Sequence, residues 1–196
     1  MMESQRQTHF GGRGFTLRSS MGRGLPMLLI PIIVLILILF SGNFYFLEYF
    51  HVVVGSAWTG MDLVMGLFFA FIMRGLSNIE RAEVSKRLIP MMLFFMPSIA
   101  TTTITAGIYL AAGLGIDFFS IYFIITAIIA LILTVQGLLI FLPNELRIYS
   151  EILRGSRNVE KIVRLTMFNL KLSLSQLVLQ MIIIVFMAHF ATGGSL

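Results

Sequence analysis

The sequence predicts an all-α integral membrane protein with five transmembrane helices, its N-terminus inside and its C-terminus outside. Two observations predict it. Five apolar stretches, 25–47, 49–74, 88–115, 117–143 and 166–191, each reach the ~20 residues a helix needs to cross the hydrocarbon core. Once the chain is threaded through those spans, all fourteen Lys and Arg residues fall on one side. Arg6, Arg13, Arg18 and Arg23 precede the first span, and Arg74, Arg81, Lys86 and Arg87 lie between the second and third. Arg147, Arg154, Arg157, Lys161 and Arg164 lie between the fourth and fifth, with Lys171 just inside the fifth. The other two loops and the C-terminal tail carry only Glu48 and Asp117. Cytoplasmic loops retain Lys and Arg, so the charge pattern orients the chain in a plasma membrane with the N-terminus cytoplasmic.

Composition agrees. Mean hydropathy is +0.95, with 58% hydrophobic and 12% charged residues, which excludes an ordinary soluble domain. The net charge of +5 is accounted for by orientation and calls for no nucleic-acid partner. There is no Cys, so neither a disulfide nor a thiolate metal site is available.

Residues 1–24 form a basic, Gly-rich tail, expected to be disordered or to lie on anionic headgroups. His9 in this tail is most simply a solvated residue. The first span, 25–47, lacks a small-x-small cleavage pattern and reads as a retained anchor. It stands outside the core, residues 48–196, that holds the polar residues of interest. In the inner loop 75–90, Ser77-Asn78-Ile79-Glu80 is a capping-box pattern for a short interfacial helix, with Pro90 marking the start of the third span. The inner segment 144–165 continues helically after Pro143, breaks at Gly155-Ser156 and resumes near Asn158. Its apolar positions Ile148, Ile152, Leu153, Val159, Ile162 and Val163 suit packing on headgroups or on a partner subunit. The outer connections, Leu47–Phe50 and Gly113–Asp117, are short, so the helices they join are antiparallel neighbours. No internal repeat is evident.

At ~100° per residue, His51, Trp58 and Asp62 lie within about 20° of one line on the second helix. A carboxyl at mid-depth is expensive and normally faces the bundle interior with a partner. Asp62 either moves protons or is neutral and bonded to a neighbouring Thr or carbonyl for packing. His189, near the end of the fifth helix, falls at the same outer rim as His51. Two neutral imidazoles on facing helices are the arrangement that clamps a b-type haem in a bundle; two interfacial histidines matched by chance are the plain alternative. Thr101, Thr102, Thr103 and Thr105 read as back-bonded hydroxyls, and Tyr109 follows toward the outer end. Gln136, Gln176 and Gln180 read as interhelical hydrogen-bonders, with Gln180 nearly opposite His189 on its helix. The thirteen Met residues are scattered, with no outer cluster for a copper channel. No Walker loop, HExxH or Ser–His–Asp set is present, and no outer Arg or Lys stands ready to pair haem propionates.

The segment His51-Val-Val-Val-Gly-Ser-Ala-Trp58-Thr-Gly60 resembles the H-x6-W-x-G opening of the CopD-like membrane superfamily. That group includes copper-resistance D proteins, the PuuD-type urate oxidase membrane domain and HemJ-type proteins. Lys86-Arg87-Leu88-Ile89-Pro90 through Pro97 and Gly107-Ile108-Tyr109-Leu110 resemble the next helix of those families, and a terminal helix ending in His189 is similar to the urate-oxidase domain. The likeness covers about 49–191, four of the five helices. It implies a four-helix core, helices two to five, in which His51 is a haem ligand and His189 a candidate second. The HemJ-type Arg and His that follow W-x-G are here Met61-Asp62-Leu63-Val64-Met65-Gly66, which argues against protoporphyrinogen oxidation.

The expectation is therefore a haem b protein for electron transfer between the quinone pool or a respiratory assembly and an outer acceptor, with other redox or membrane subunits as partners. Whether it is an oxidoreductase subunit or a simple carrier stays open. His51 and His189 would be the metal ligands; Trp58 and Tyr109 would line the porphyrin. Two competing expectations are a non-catalytic subunit of a larger membrane complex and CopD-like copper uptake.

Overall fold

The computed structural model describes residues 17–155 and 158–193. Among these there is no strand. Helices α1 (Leu17–Ser41), α2 (Phe44–Leu63), α3 (Ala70–Arg74), α4 (Asn78–Gly113), α5 (Ile121–Val135), α6 (Leu142–Leu153) and α7 (Val159–Ala191) follow in order. Two π-helical segments, Val64–Phe69 and Gln136–Phe141, join α2 to α3 and α5 to α6 without a break. The result is five rods long and apolar enough to cross a membrane. Their large apolar side chains point outward: Phe40 is 86% exposed, Phe71 78% and Leu131 63%. A surface of that kind is stable facing lipid and unstable facing water. The chain is thus built as a multi-pass membrane protein.

Local chemistry moves several boundaries from where hydropathy alone sets them. The first turn falls at Gly42 and Asn43, not at Leu47–Phe50. Gly42 takes φ +62°, and the Asn43 carboxamide accepts the Phe46 N–H at 3.2 Å to cap α2. The aromatic run beginning at Phe44 hides that boundary from a hydropathy window. A Cβ at Gly42 would meet nothing within 4 Å, so Gly42→Ala is expected to cost only the left-handed backbone, about 1 kcal/mol. Denaturant titration in detergent checks it; unchanged stability would show the turn tolerates another conformation.

At the other end the capping box forms as the sequence predicts. The Ser77 hydroxyl accepts from the Glu80 N–H, and the Glu80 carboxylate accepts from the Ser77 N–H at 2.8 Å. The helix it starts is not a separate interfacial piece, however. It runs unbroken through Pro90 and Pro97 into the third span, 36 residues in all. Arg81 secures the preceding turn by donating to the carbonyls of Met73 (2.6 Å) and Arg74 (2.9 Å), where a helix end has unmet acceptors and negative dipole. The helix of the fourth span ends at Leu153, with Gly155 at φ +83°. Asn158 caps α7 through Lys161 N–H, and the Lys161 ammonium reaches back across the turn to Glu151 at 2.7 Å. Helix α1 begins at Leu17, inside the stretch assigned to the tail. The rest of the tail expectation, His9 included, falls on residues 1–16 and Ser156 of the predicted break also lies outside the described residues.

Helix α4 is the mast of the bundle, with α1, α2, α6 and α7 packed on it. Its small residues Ser98, Thr102, Thr103, Ala106 and Ala111 are buried and let neighbours approach closely. The first helix is more than a tether. Leu35 packs with Leu47, Phe50, Ala106 and Leu110, and the Ser98 hydroxyl donates to the Leu28 carbonyl at 2.7 Å. The apolar positions at the basic end of the bundle also have a use the sequence left open. Ile148, Ile152, Ile162 and Val163 pack on one another and on Ala82 and Ile89 of α4, so they cover no partner and no headgroup.

Candidate functional site

The fold gathers two sets of functional side chains: imidazoles at the end away from the basic loops, and a polar seam below them. His51 lies in the third turn of α2, pressed on α4. Its Nδ1 is 2.9 Å from the Thr103 carbonyl oxygen. A carbonyl only accepts, so Nδ1 carries a proton, and in the neutral ring Nε2 is then the nitrogen with the lone pair. Gly107 permits this seat, because a Cβ there would stand 2.9 Å from His51 Cε1. The imidazole therefore lies directly on the α4 backbone.

His189 sits in the last turn of α7. Its ring stacks on Tyr122 with centroids 3.9 Å apart and planes 26° from parallel, and Phe190 meets it edge-on at 6.0 Å. Neither ring nitrogen makes a hydrogen bond among the described residues. The two histidines belong to the same end of the core, since Trp58, seven residues below His51, and Phe186, three below His189, join one cluster. They are held by different helices, His51 by α4 and His189 by Tyr122, just ahead of α5's second turn; no ring contact joins them.

Trp58 is buried beneath them against Ile99, Ile129 and Leu133, a plug through the middle of the bundle. Tyr109 is 52% exposed and stands outside that cluster. Below the plug, Asp62 is completely buried. Its partner is neither a Thr nor a backbone carbonyl: Gln180 donates Nε2–H to Asp62 Oδ2 at 2.9 Å. Ser173 and Trp58 flank the same carboxyl. Gln180 does act between helices, as its type predicts, and it is the residue that completes the Asp62 site.

The seam continues along α7. Thr166, Asn169, Ser173, Gln176 and Gln180 are all buried, at spacings of three and four that place them on one face. Thr166 donates to the Ser85 hydroxyl at 3.1 Å, Asn144 donates to Asn169 at 3.0 Å, and Gln176 donates to the Leu133 carbonyl at 3.4 Å. A cavity of about 60 Å³ lies beside it, walled mostly by apolar residues such as Ile104, Leu133, Leu138 and Phe141, with Gln176, Thr134 and Glu145 at its polar edge. Glu145, itself buried, is a second buried carboxyl that a residue-by-residue reading passes over. The three-four spacing on α7 was the signal for the whole stripe.

No set of three or more His, Asp or Glu side chains is placed to hold a metal ion among the described residues. Compared with protein-family models, curated proteins and solved structures, the chain matches none.

Proposed function

We propose that the chain is an electron-transfer protein of the plasma membrane that binds b-type haem at the outer end of its bundle, with His51 and His189 as axial ligands and the basic loops in the cytoplasm. The observation that supports it most is the posture of His51. A metal-binding imidazole characteristically donates its second N–H to a carbonyl or carboxylate, which sets the tautomer and aims the other nitrogen. His51 does this through Thr103 and leaves Nε2 without a partner among the described residues. Among the described residues His189 is likewise unengaged at both nitrogens, so the pair fits the bis-imidazole donor set in chemistry. When bound, the haem supplies one-electron chemistry. The chain's own residues hold the ring: Gly107 and Thr103 fix His51, and Tyr122 backs His189. The Trp58 layer below keeps water from reaching that end through the core. The CopD-like resemblance supports the same reading, since its His and Trp are the two residues that define this end. The competing reading as a non-catalytic subunit drew on the N-terminal tail and on apolar positions of the inner helices; of those positions Ile148, Ile152, Ile162 and Val163 are buried within the chain and Leu153 stays exposed.

The test is a dithionite-reduced minus oxidised spectrum of the purified protein in detergent, with a pyridine haemochrome for stoichiometry. A sharp b-type α-band is expected, lost in His51→Ala and lost or converted to a high-spin spectrum in His189→Ala. An intact, monodisperse protein without a Soret band would overturn the assignment.

A further inference from the structure

We propose that Asp62 and Gln180 form a buried proton-binding site, served from the basic end of the bundle by the polar stripe of α7. It stands apart from the histidines and holds whether or not haem is bound. Two atoms of the pair lack any partner among the described residues, Asp62 Oδ1 and Gln180 Oε1. Both are acceptors, in side chains that are 0% and 2% exposed. Orphaned acceptors at such depth are costly, and an ionised carboxylate there with no cation beside it costs far more. A single proton on Oδ1 resolves both. Its O–H points to the Gln180 carbonyl while the Gln180 N–H already donates to Oδ2, closing a cyclic acid–amide pair. A metal ion would want a shell of several oxygens; here the other neighbours are one hydroxyl, Ser173, and the indole of Trp58.

Access is one-sided. From Thr166 to Gln180 the stripe covers about 21 Å at 1.5 Å per residue. Its inner end touches Ser85, whose hydroxyl donates to the Arg81 carbonyl at 2.7 Å, at the level of the basic loop. Along the way the Asn169 amide nitrogen is another buried atom without a partner among the described residues, a place for a water to bridge. Toward the opposite end the Trp58, Ile99, Ile129 and Leu133 cluster closes the core. Elements packed against Asp62 present Gln180 and Ser173 from α7 and Trp58 from its own helix, none of them charged. The other buried carboxyl, Glu145, is reached across the cavity that Trp58 also borders. The π-helical turn begins two residues after Asp62, and such turns in membrane helices frequently mark functional positions.

Infrared difference spectroscopy of the full chain in lipid tests the site. A protonated-carboxyl band is expected at neutral pH, lost in Asp62→Asn and distinct from any band lost in Glu145→Gln. Ser85→Ala with Thr166→Val should leave the band in place and slow its shift after transfer to deuterium oxide. Should Asp62→Asn fail to assemble, Gln180→Met decides, because breaking the pair must move the band's frequency. A band unchanged in Asp62→Asn, or unmoved in Gln180→Met, overturns the proposal. So does a band that appears only when sodium is replaced by choline, which would make the ligand a metal cation.

Discussion

Gly66→Val is expected to pull the π-helical segment Val64–Phe69 away from α7 and to leave the chain aggregated or far less resistant to denaturation. At Gly66 the two helices meet backbone to backbone. An added Cβ would lie 2.7 Å from the Leu174 nitrogen and 2.9 Å from its Cα. Neither atom belongs to a flexible side chain, so the whole helix must shift. Overpacking by even one methyl group costs about 1–3 kcal/mol, and a branched side chain exceeds that. The contact sits one residue from Ser173 and four from Asp62, so the proton site should be disturbed with it. Gly60 and Gly137, also helical, have nothing within 4 Å of an added Cβ; alanine there should be neutral or stabilising by up to about 1 kcal/mol. Unfolding in graded denaturing detergent, with size-exclusion profiles, compares the three. If valine at Gly66 behaves like alanine at Gly60, the close helix contact does not exist.

The second large effect is non-additive. Gln180→Leu removes the amide that donates to Asp62 Oδ2 and should destabilise the bundle by about 1–3 kcal/mol. Adding Asp62→Leu to it should restore most of that loss, because replacing both members of a buried polar pair by apolar groups leaves nothing unsatisfied. Residues in direct contact couple in this way, whereas distant ones add. The double-mutant cycle is read from the same unfolding curves. Strictly additive losses would mean that Asp62 and Gln180 do not meet.

Much of the architecture was legible in the chain because the bilayer imposes strict rules on it. Rod length follows from hydrocarbon thickness, and the grouping of Arg and Lys at one end follows from the threading. The Ser77–Glu80 cap, the helix stop at Gly155 and the restart at Asn158 are each local, set by one or two side chains bonding to nearby backbone. Boundaries inside continuous apolar runs were not legible. Hydropathy cannot see that Gly42 is left-handed or that Pro90 lies within a helix already under way. Nor could the apolar faces of α6 and the start of α7 be assigned to each other, since a partner, a headgroup layer and a neighbouring helix all bury such a face alike.

The sites divide in the same manner. The sequence alone determined that His51, Trp58 and Asp62 share one face of a helix and that His189 reaches the same end of the bundle, because both statements need only helical periodicity and span length. Only the tertiary structure decided what each of them touches. His51 lies on Gly107 and bonds to Thr103, His189 stacks on Tyr122, and Asp62 pairs with Gln180, 118 residues away along the chain. Periodicity tells which way a side chain points from its own axis; the rotation of the facing helix decides which partner it meets. That rotation is set by close contacts such as Gly66 against Leu174, which no single helix encodes.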